Sequence, residues 1–196
     1  LLMLANANGA SLRLDRNIIN RISLPTGVRV DSLILTENQV KSGPLHFNLS
    51  GRVWLTGNRI HSDDAAGALL VVNASSTTIR NNKITSTKNS AITTRKSATE
   101  VWLDSNFVES RNTCVFDDGS PGMRVTNNTF VALDGGDLQR TFMSTNPNRL
   151  LLTNNEHRAG KNDNSIRLTG QGTARIVGEK IISGYPDYGT VDVTKE

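Results

Sequence analysis

The chain has little of what marks several large classes of protein. Its 196 residues include one cysteine, Cys114, which excludes a disulfide within the chain and a cysteine-rich zinc site. Aromatic residues make up only 5% of the chain, which is low for a compact globule. No apolar run approaches the roughly 20 residues that cross a bilayer, so we expect no membrane span.

Positive charge is also modest. The formal net charge is +4, and Lys and Arg are scattered without a basic run, so we expect no nucleic-acid partner. The chain does not begin with Met, and its opening apolar stretch is too short for the core of a signal peptide. We therefore expect residues 1–196 to form one domain that is a segment of a longer protein.

A repeat of about 23 residues organises the sequence. The pattern is apolar, any, apolar, two residues, Asn, any, apolar, as in Val53-Trp54-Leu55-Thr56-Gly57-Asn58-Arg59-Ile60. The alternation around the Asn has a period of two, which indicates strands rather than helices. The Asn position of the repeat is held by Asn17, Asn38, Asn58, Asn82, Asn106, Asn128 and Asn155, and by Glu179 in the eighth copy.

The recurring Asn predicts a ladder inside a solenoid. We expect it at a corner between two strands, turned inward and able to adopt left-handed backbone torsions. Its amide offers both a donor and an acceptor, so asparagines in successive coils can bond to one another. A buried amide without such partners would cost about 1–3 kcal/mol, so seven in register indicate a structural role.

The repeat resembles the right-handed parallel β-helix of the pectate-lyase-like superfamily, which includes phage tailspikes, polysaccharide-processing enzymes and many surface proteins. The resemblance covers about residues 10–193 and implies an all-β solenoid of about eight coils with three strands each. It implies little about activity, since that fold carries both enzymes and inert spacers.

In enzymes of that superfamily the active site lies on the outer face of the first-strand sheet. Alternation along the predicted strands puts Asn73, Arg95, Asp117, Thr145 and Thr169 on this face. We interpret Arg95 and Asp117 as a candidate catalytic pair, in which the cation holds a sugar carboxylate and the Asp carboxylate acts as the base that removes a proton. Candidate substrate-binding neighbours are Asn73, Lys96, Asp118 and Thr145. The alternative is a solvated cross-strand ion pair.

Trp54 and Trp102 share a predicted outward column of the second-strand sheet, two coils apart. Exposed Trp beside Arg can stack on sugar rings or anchor a protein partner, so both are candidate binding residues. The same column is predicted to contain Arg13, Arg80, Arg124 and Arg175.

No cofactor is predicted from a diagnostic motif, and no metal site is assigned. The acidic pairs Asp63-Asp64 and Asp117-Asp118, with the segment Asp134-Gly135-Gly136-Asp137, would suit Ca²⁺, or glycoside hydrolysis, but their spacing is not diagnostic and ordinary turn chemistry is the favoured explanation. His157 occupies an inward position where other coils have an aliphatic or Phe residue, which favours a buried histidine.

Two functions remain open at this point. One is a secreted, cell-surface or virion module that binds a polysaccharide or other glycan, with or without cleaving it as a lyase or hydrolase. The other is a non-catalytic spacer, adhesion or protein-interaction segment, in a homotrimer or docked to flanking domains.

Overall fold

A computed structural model describes residues 2–3, 9–20, 22–23, 30–48, 51–95, 100–133, 139–160 and 163–196. Among these residues there are 26 strands in three sheets, all pairs are parallel, and no helix could span a membrane. The chain is an all-β parallel solenoid, which confirms the predicted fold class. The described strands number nine in two sheets and eight in the third, against a predicted eight coils.

Each sheet takes one strand from every coil. The first sheet runs β1 (Leu2–Met3), β4 (Ile22–Ser23), β7 (Leu45–Asn48), β10 (Leu69–Val72), β13 (Ile92–Arg95), β16 (Thr113–Asp118), β19 (Arg140–Thr145), β22 (Asn164–Thr169), β25 (Tyr185–Asp187). The second runs β2 (Ala10–Asp15), β5 (Val30–Thr36), β8 (Arg52–Thr56), β11 (Ser76–Arg80), β14 (Glu100–Asp104), β17 (Arg124–Thr126), β20 (Leu150–Thr153), β23 (Thr173–Val177), β26 (Asp192–Lys195). The third runs β3 (Ile18–Ile19), β6 (Gln39–Val40), β9 (Arg59–Ser62), β12 (Lys83–Ser86), β15 (Phe107–Ser110), β18 (Thr129–Ala132), β21 (Glu156–Arg158), β24 (Lys180–Ser183).

The core is built from stacked aliphatic columns. Side chains alternate in and out along each strand, so one inward position per strand recurs in every coil. In the second sheet this position is aliphatic and almost fully buried from β5 to β23, in Leu35, Leu55, Ile79, Leu103, Val125, Leu152 and Ile176. Because parallel strands stack in register, the same residue type can occupy the same position in successive coils. This stacking produces the repeat in the sequence.

The asparagine ladder is present as predicted. From Asn17 onward, each backbone N–H donates to the side-chain oxygen of the ladder residue in the next coil, at 2.8–3.1 Å as far as Asn155 and Glu179. The side-chain Nδ2 of Asn106, for example, donates to Ile79 O at 2.8 Å and to Asn128 Oδ1 at 2.9 Å. The amides from Asn38 to Asn155 are therefore buried and satisfied inside the solenoid, whereas Asn17, in the first coil, is exposed instead of turned inward.

The predicted left-handed torsion of the ladder residues is wrong. The positive φ lies one residue earlier, in Arg16, Glu37, Gly57, Asn81, Ser105, Asn127, Asn154 and Gly178. The corner residue points outward in this conformation, and the following Asn then enters the interior with ordinary torsions. The outward residue needs only to tolerate φ near +55°, which explains why its type varies.

Candidate functional site

Asp117 does not lie on the outer face where the sequence placed it. It is 1% exposed, and its register partners are Thr94 and Ser144, which are also buried. Thr94 Oγ1 donates to Asp117 Oδ1 at 2.8 Å, and Ser144 Oγ donates to Oδ2 at 2.7 Å. The Ser120 N–H adds a third bond to Oδ1 at 3.1 Å. Asp117 is thus a satisfied interior carboxylate, and the predicted Arg95–Asp117 catalytic pair is not assembled.

The error is one residue of register. Thr94 precedes its ladder Asn by 12 residues, whereas the equivalent Asp117 precedes Asn128 by 11, because the intervening turn is shorter. The sequence argument kept the 12-residue spacing and so placed the apolar Phe116 inside. A slip of one residue exchanges the two faces of a strand. Phe116 faces outward, and a polar Asp–Thr–Ser group occupies the interior.

The outer column of the first sheet contains four of the predicted residues. Arg95, Asp118, Thr145 and Thr169 are successive register partners, and Thr145 Oγ1 donates to Asp118 Oδ1 at 3.1 Å. Asn73 lies just past this column, at a left-handed corner with φ 59°. Lys96 lies outside the described residues, as does the segment Asp134–Asp137. This column therefore places the basic Arg95 next to the acidic Asp118, and both residues are exposed.

The outer face of the second sheet presents the two tryptophans. Trp54 and Trp102 are 51% and 40% exposed, and both are register partners of Thr78, one on each side. Strands are about 4.8 Å apart, so the two backbones lie about 10 Å apart. Arg13, Arg124 and Arg175 share this column as predicted. Arg80 does not, because it aligns two residues further along with Thr56 and Asp104.

Polar contacts hold the ring of Trp102. Its Nε1 donates to Thr126 Oγ1 at 3.3 Å, and the Arg80 guanidinium lies over the ring, 5.8 Å from its centre. Asp104 contacts both of these residues: its Oδ1 accepts a hydrogen bond from Thr126 Oγ1 at 2.8 Å, and its Oδ2 forms an ion pair with Arg80 Nε at 2.9 Å. This indole is oriented before any ligand arrives, which lowers the entropy cost of binding.

The pKa of Asp104 is lowered from its usual value. Burial opposes ionisation and acts to raise the pKa, but hydrogen bonds from Thr126 and Asn127 and the charge of Arg80 outweigh burial and lower it. Asp104 therefore remains a carboxylate at neutral pH and keeps Arg80 in place over the indole.

A buried histidine–glutamate contact ends the ladder. His157 is fully buried, as the sequence favoured, and its Nε2 lies 2.5 Å from Glu179 Oε2. Its Nδ1 lies 2.7 Å from Thr141 Oγ1, and that hydroxyl donates its one proton to Ser165 O, so Nδ1 must be the donor. Both ring nitrogens are thereby occupied. Sequence reasoning noted the two residues separately and missed their contact, although Glu replaces Asn in the coil that follows His157.

The donors that soft metals prefer lie apart. The Cys114 thiol is buried against Val108 O, and burial raises its pKa, so it is not a ready thiolate. Met123 is buried in the core, and His61 is exposed on the third sheet. Within the described residues, no three His, Cys, Asp or Glu side chains come together in a group that could hold a metal ion.

Comparison with protein families gives one match. The family model described as "Periplasmic copper-binding protein (NosD)" matches residues 28–147, more than half of the chain. The chain belongs to the NosD family. No curated protein and no solved structure matches it.

The NosD match spans β5 to β19 and so includes the ladder from Asn38 to Asn128, both tryptophans, and Arg95, Asp118 and Thr145 of the first sheet. NosD is a parallel β-helix family, which agrees with the fold described above. Its description places the family in the periplasm, consistent with the expected location outside the cytoplasm. Secretion to a cell surface or a virion remains a prediction.

Proposed function

We propose that this chain is a non-catalytic β-helix module of the cell envelope that binds a glycan across the outer face of its second sheet. The observation that supports it is the pair of exposed indoles, Trp54 and Trp102, on one flat column two coils apart. Sugar rings present apolar faces that stack on indoles. The roughly 10 Å between the two strands suits two rings of one extended oligosaccharide.

The surroundings of the indoles also support a sugar ligand. Thr78, whose side chain is smaller, lies between them in the same column. Arg80, Thr126 and Asn127 surround Trp102 with groups that can bond to sugar hydroxyls. A largely pre-formed apolar surface with a few fixed polar groups is typical of small-ligand sites.

Catalysis is left out of the proposal because the candidate machinery is incomplete. Glycoside hydrolysis needs two carboxyl groups flanking the scissile bond. On the first-sheet face, Asp118 has Arg95 and Thr145 as register partners, whereas the neighbouring Asp117 is buried. Arg95 and Asp118 are as well suited to binding a ligand as to abstracting a proton.

A resident copper ion, which the family description suggests, does not fit the described donors. Copper sites in proteins draw on imidazole, thiolate and thioether ligands that converge. His46 lies on the first sheet, and His61 is exposed on the outer face of the third. Both nitrogens of His157 are occupied, and Cys114 is buried in the core. No step of the proposed function therefore involves a metal.

The test is binding of the whole chain to a panel of neutral and acidic oligosaccharides by glycan array, followed by calorimetry. Trp54→Ala and Trp102→Ala should each weaken binding about tenfold or more, since each removes a large stacked apolar surface. Tyr185→Ala is the matched control, because Tyr185 is 51% exposed but lies on the first sheet, and it should bind as the wild type does.

Two results would contradict the proposal. One is the absence of binding to any oligosaccharide in the panel by correctly folded protein. The other is binding that both tryptophan variants retain. If binding is lost in an Arg95→Ala, Asp118→Ala variant and in neither tryptophan variant, the glycan binds to the first-sheet face instead.

A further inference from the structure

The first half of the third sheet carries uncompensated positive charge on its outer face. Arg59 and Lys83 are direct register partners on neighbouring strands, and both side chains are exposed. The exposed Lys41 and His61 belong to the adjacent outward positions. Like charges placed directly across neighbouring strands destabilise a sheet, so this arrangement needs an explanation.

The other end of the same sheet shows how this fold neutralises its cations. Glu156 pairs there with Lys180 at 3.1 Å and with Arg158 at 2.7 Å. Within the described part of the chain, by contrast, Lys41, Arg59 and Lys83 form no ion pair. Lys83 instead lies over the Phe107 ring, with Nζ 5.3 Å from its centre.

These cations border a groove. It has a volume of about 450 Å³, and its lining includes Val40 and Ile60, whose side chains are buried in the core. Lys41, Arg59, His61 and Lys83 line it, and Glu109 is the one carboxylate among the described lining residues. The Thr85 hydroxyl, between His61 and Glu109 in register, lies 3.5 Å from the Glu109 carboxylate. Cations therefore outnumber anions around a recess of ligand size.

We propose that this groove binds a phosphate-type oxyanion, with Arg59 and Lys83 as its principal ligands. A guanidinium presents two N–H groups in the geometry that fits two phosphate oxygens, and an ammonium adds a point charge and up to three donors. The bound oxyanion would remove the repulsion between the two cations. The site lies on a different sheet from the tryptophans, so it does not depend on the proposed glycan function.

The test uses the whole chain, with inorganic phosphate and sulfate as free ligands and vesicles of phosphatidylglycerol in phosphatidylcholine as a surface of phosphate headgroups. Backbone NMR shifts during the salt titrations and vesicle co-sedimentation are the two readouts. The Arg59→Gln, Lys83→Gln variant keeps most of each aliphatic stem and removes both charges. Lys180→Gln, on the same sheet, is the matched control.

We expect saturable binding that weakens as ionic strength rises. The double variant should lose at least about tenfold in affinity, since the loss of a single charge-assisted hydrogen bond already has that effect and the variant removes both cations. Lys180→Gln should keep wild-type affinity. Shifts with phosphate and sulfate but no sedimentation identify a free oxyanion. Sedimentation only with the anionic vesicles identifies a headgroup. Absence of both, or equal affinity of the double variant and the wild type, would overturn the proposal.

Discussion

The ladder makes a strong prediction at its centre, the substitution Asn106→Ala. Four side-chain hydrogen bonds disappear with the amide: two from Nδ2, to Ile79 O and Asn128 Oδ1, and two to Oδ1, from N and Nδ2 of Asn82. The Nδ2 of Asn82 retains bonds to Leu55 O and Arg80 O. Its backbone N–H, however, loses its ladder acceptor in the interior.

The magnitude follows from these losses. A buried N–H left without a partner costs about 1–3 kcal/mol, and each further hydrogen bond contributes about 0.5–1.5 kcal/mol net. We therefore expect Asn106→Ala to lower the free energy of unfolding by about 3–5 kcal/mol, allowing for partial relaxation. Asn148→Ala is the control, since Asn148 is exposed and its side chain has no hydrogen bond among the described residues. It should change stability by no more than about 0.5 kcal/mol.

Urea unfolding followed by far-ultraviolet circular dichroism and by tryptophan fluorescence measures both variants. Coincident transitions justify a single free energy, which repeat proteins do not guarantee. A loss below about 1 kcal/mol in Asn106→Ala, or one equal to that of Asn148→Ala, would refute the view that the ladder stabilises the solenoid through buried amide bonds.

The remaining two predictions concern a thiol and a carboxylate. Burial raises the pKa of the Cys114 thiol, so a thiol reagent at about pH 8 should modify it only after denaturation, and rapid modification of the native chain would contradict its placement in the core. The lowered pKa of Asp104 means that its stabilisation is present at neutral pH and is lost as pH falls below the usual aspartate range, about pH 4, toward that lowered pKa. Asp104→Asn should therefore flatten the acid side of a plot of urea midpoint against pH, and an unchanged slope would contradict the assignment.

Several site features could be predicted from the sequence because the spacing from the second-sheet strand to the ladder residue is the same in successive coils. The distance from Trp54 to Asn58 equals that from Trp102 to Asn106, so both indoles had to share an outward column. Arg80 lies only two residues before its ladder Asn, Asn82, and was wrongly assigned to that column. Arg80 and Trp102 therefore belong to two different columns, and their contact is diagonal across the sheet. Assigning both residues to one column does not predict this contact.

The first-sheet site was less predictable because a variable turn separates that sheet from the ladder. Counting back from Asn128 through a turn that is shorter by one residue reversed the faces of Phe116 and Asp117. Hydrophobicity reinforced the error, since Phe116 is the more obvious core residue. The hydroxyls that make Asp117 stable inside come from Thr94 and Ser144, 23 and 27 residues away.

The architecture could be predicted from the sequence, since a repeat with period-two alternation around a recurring Asn indicates stacked parallel strands whose polar corners bond to one another. Which side chains meet across coils became clear only from the folded structure. It buried Asp117 among hydroxyls, joined His157 to Glu179, fixed Arg80 over Trp102 and left Arg59 beside Lys83 without an acidic partner in the described residues. The physical reason is that contacts between coils depend on register, and register depends on turn lengths that no local pattern specifies.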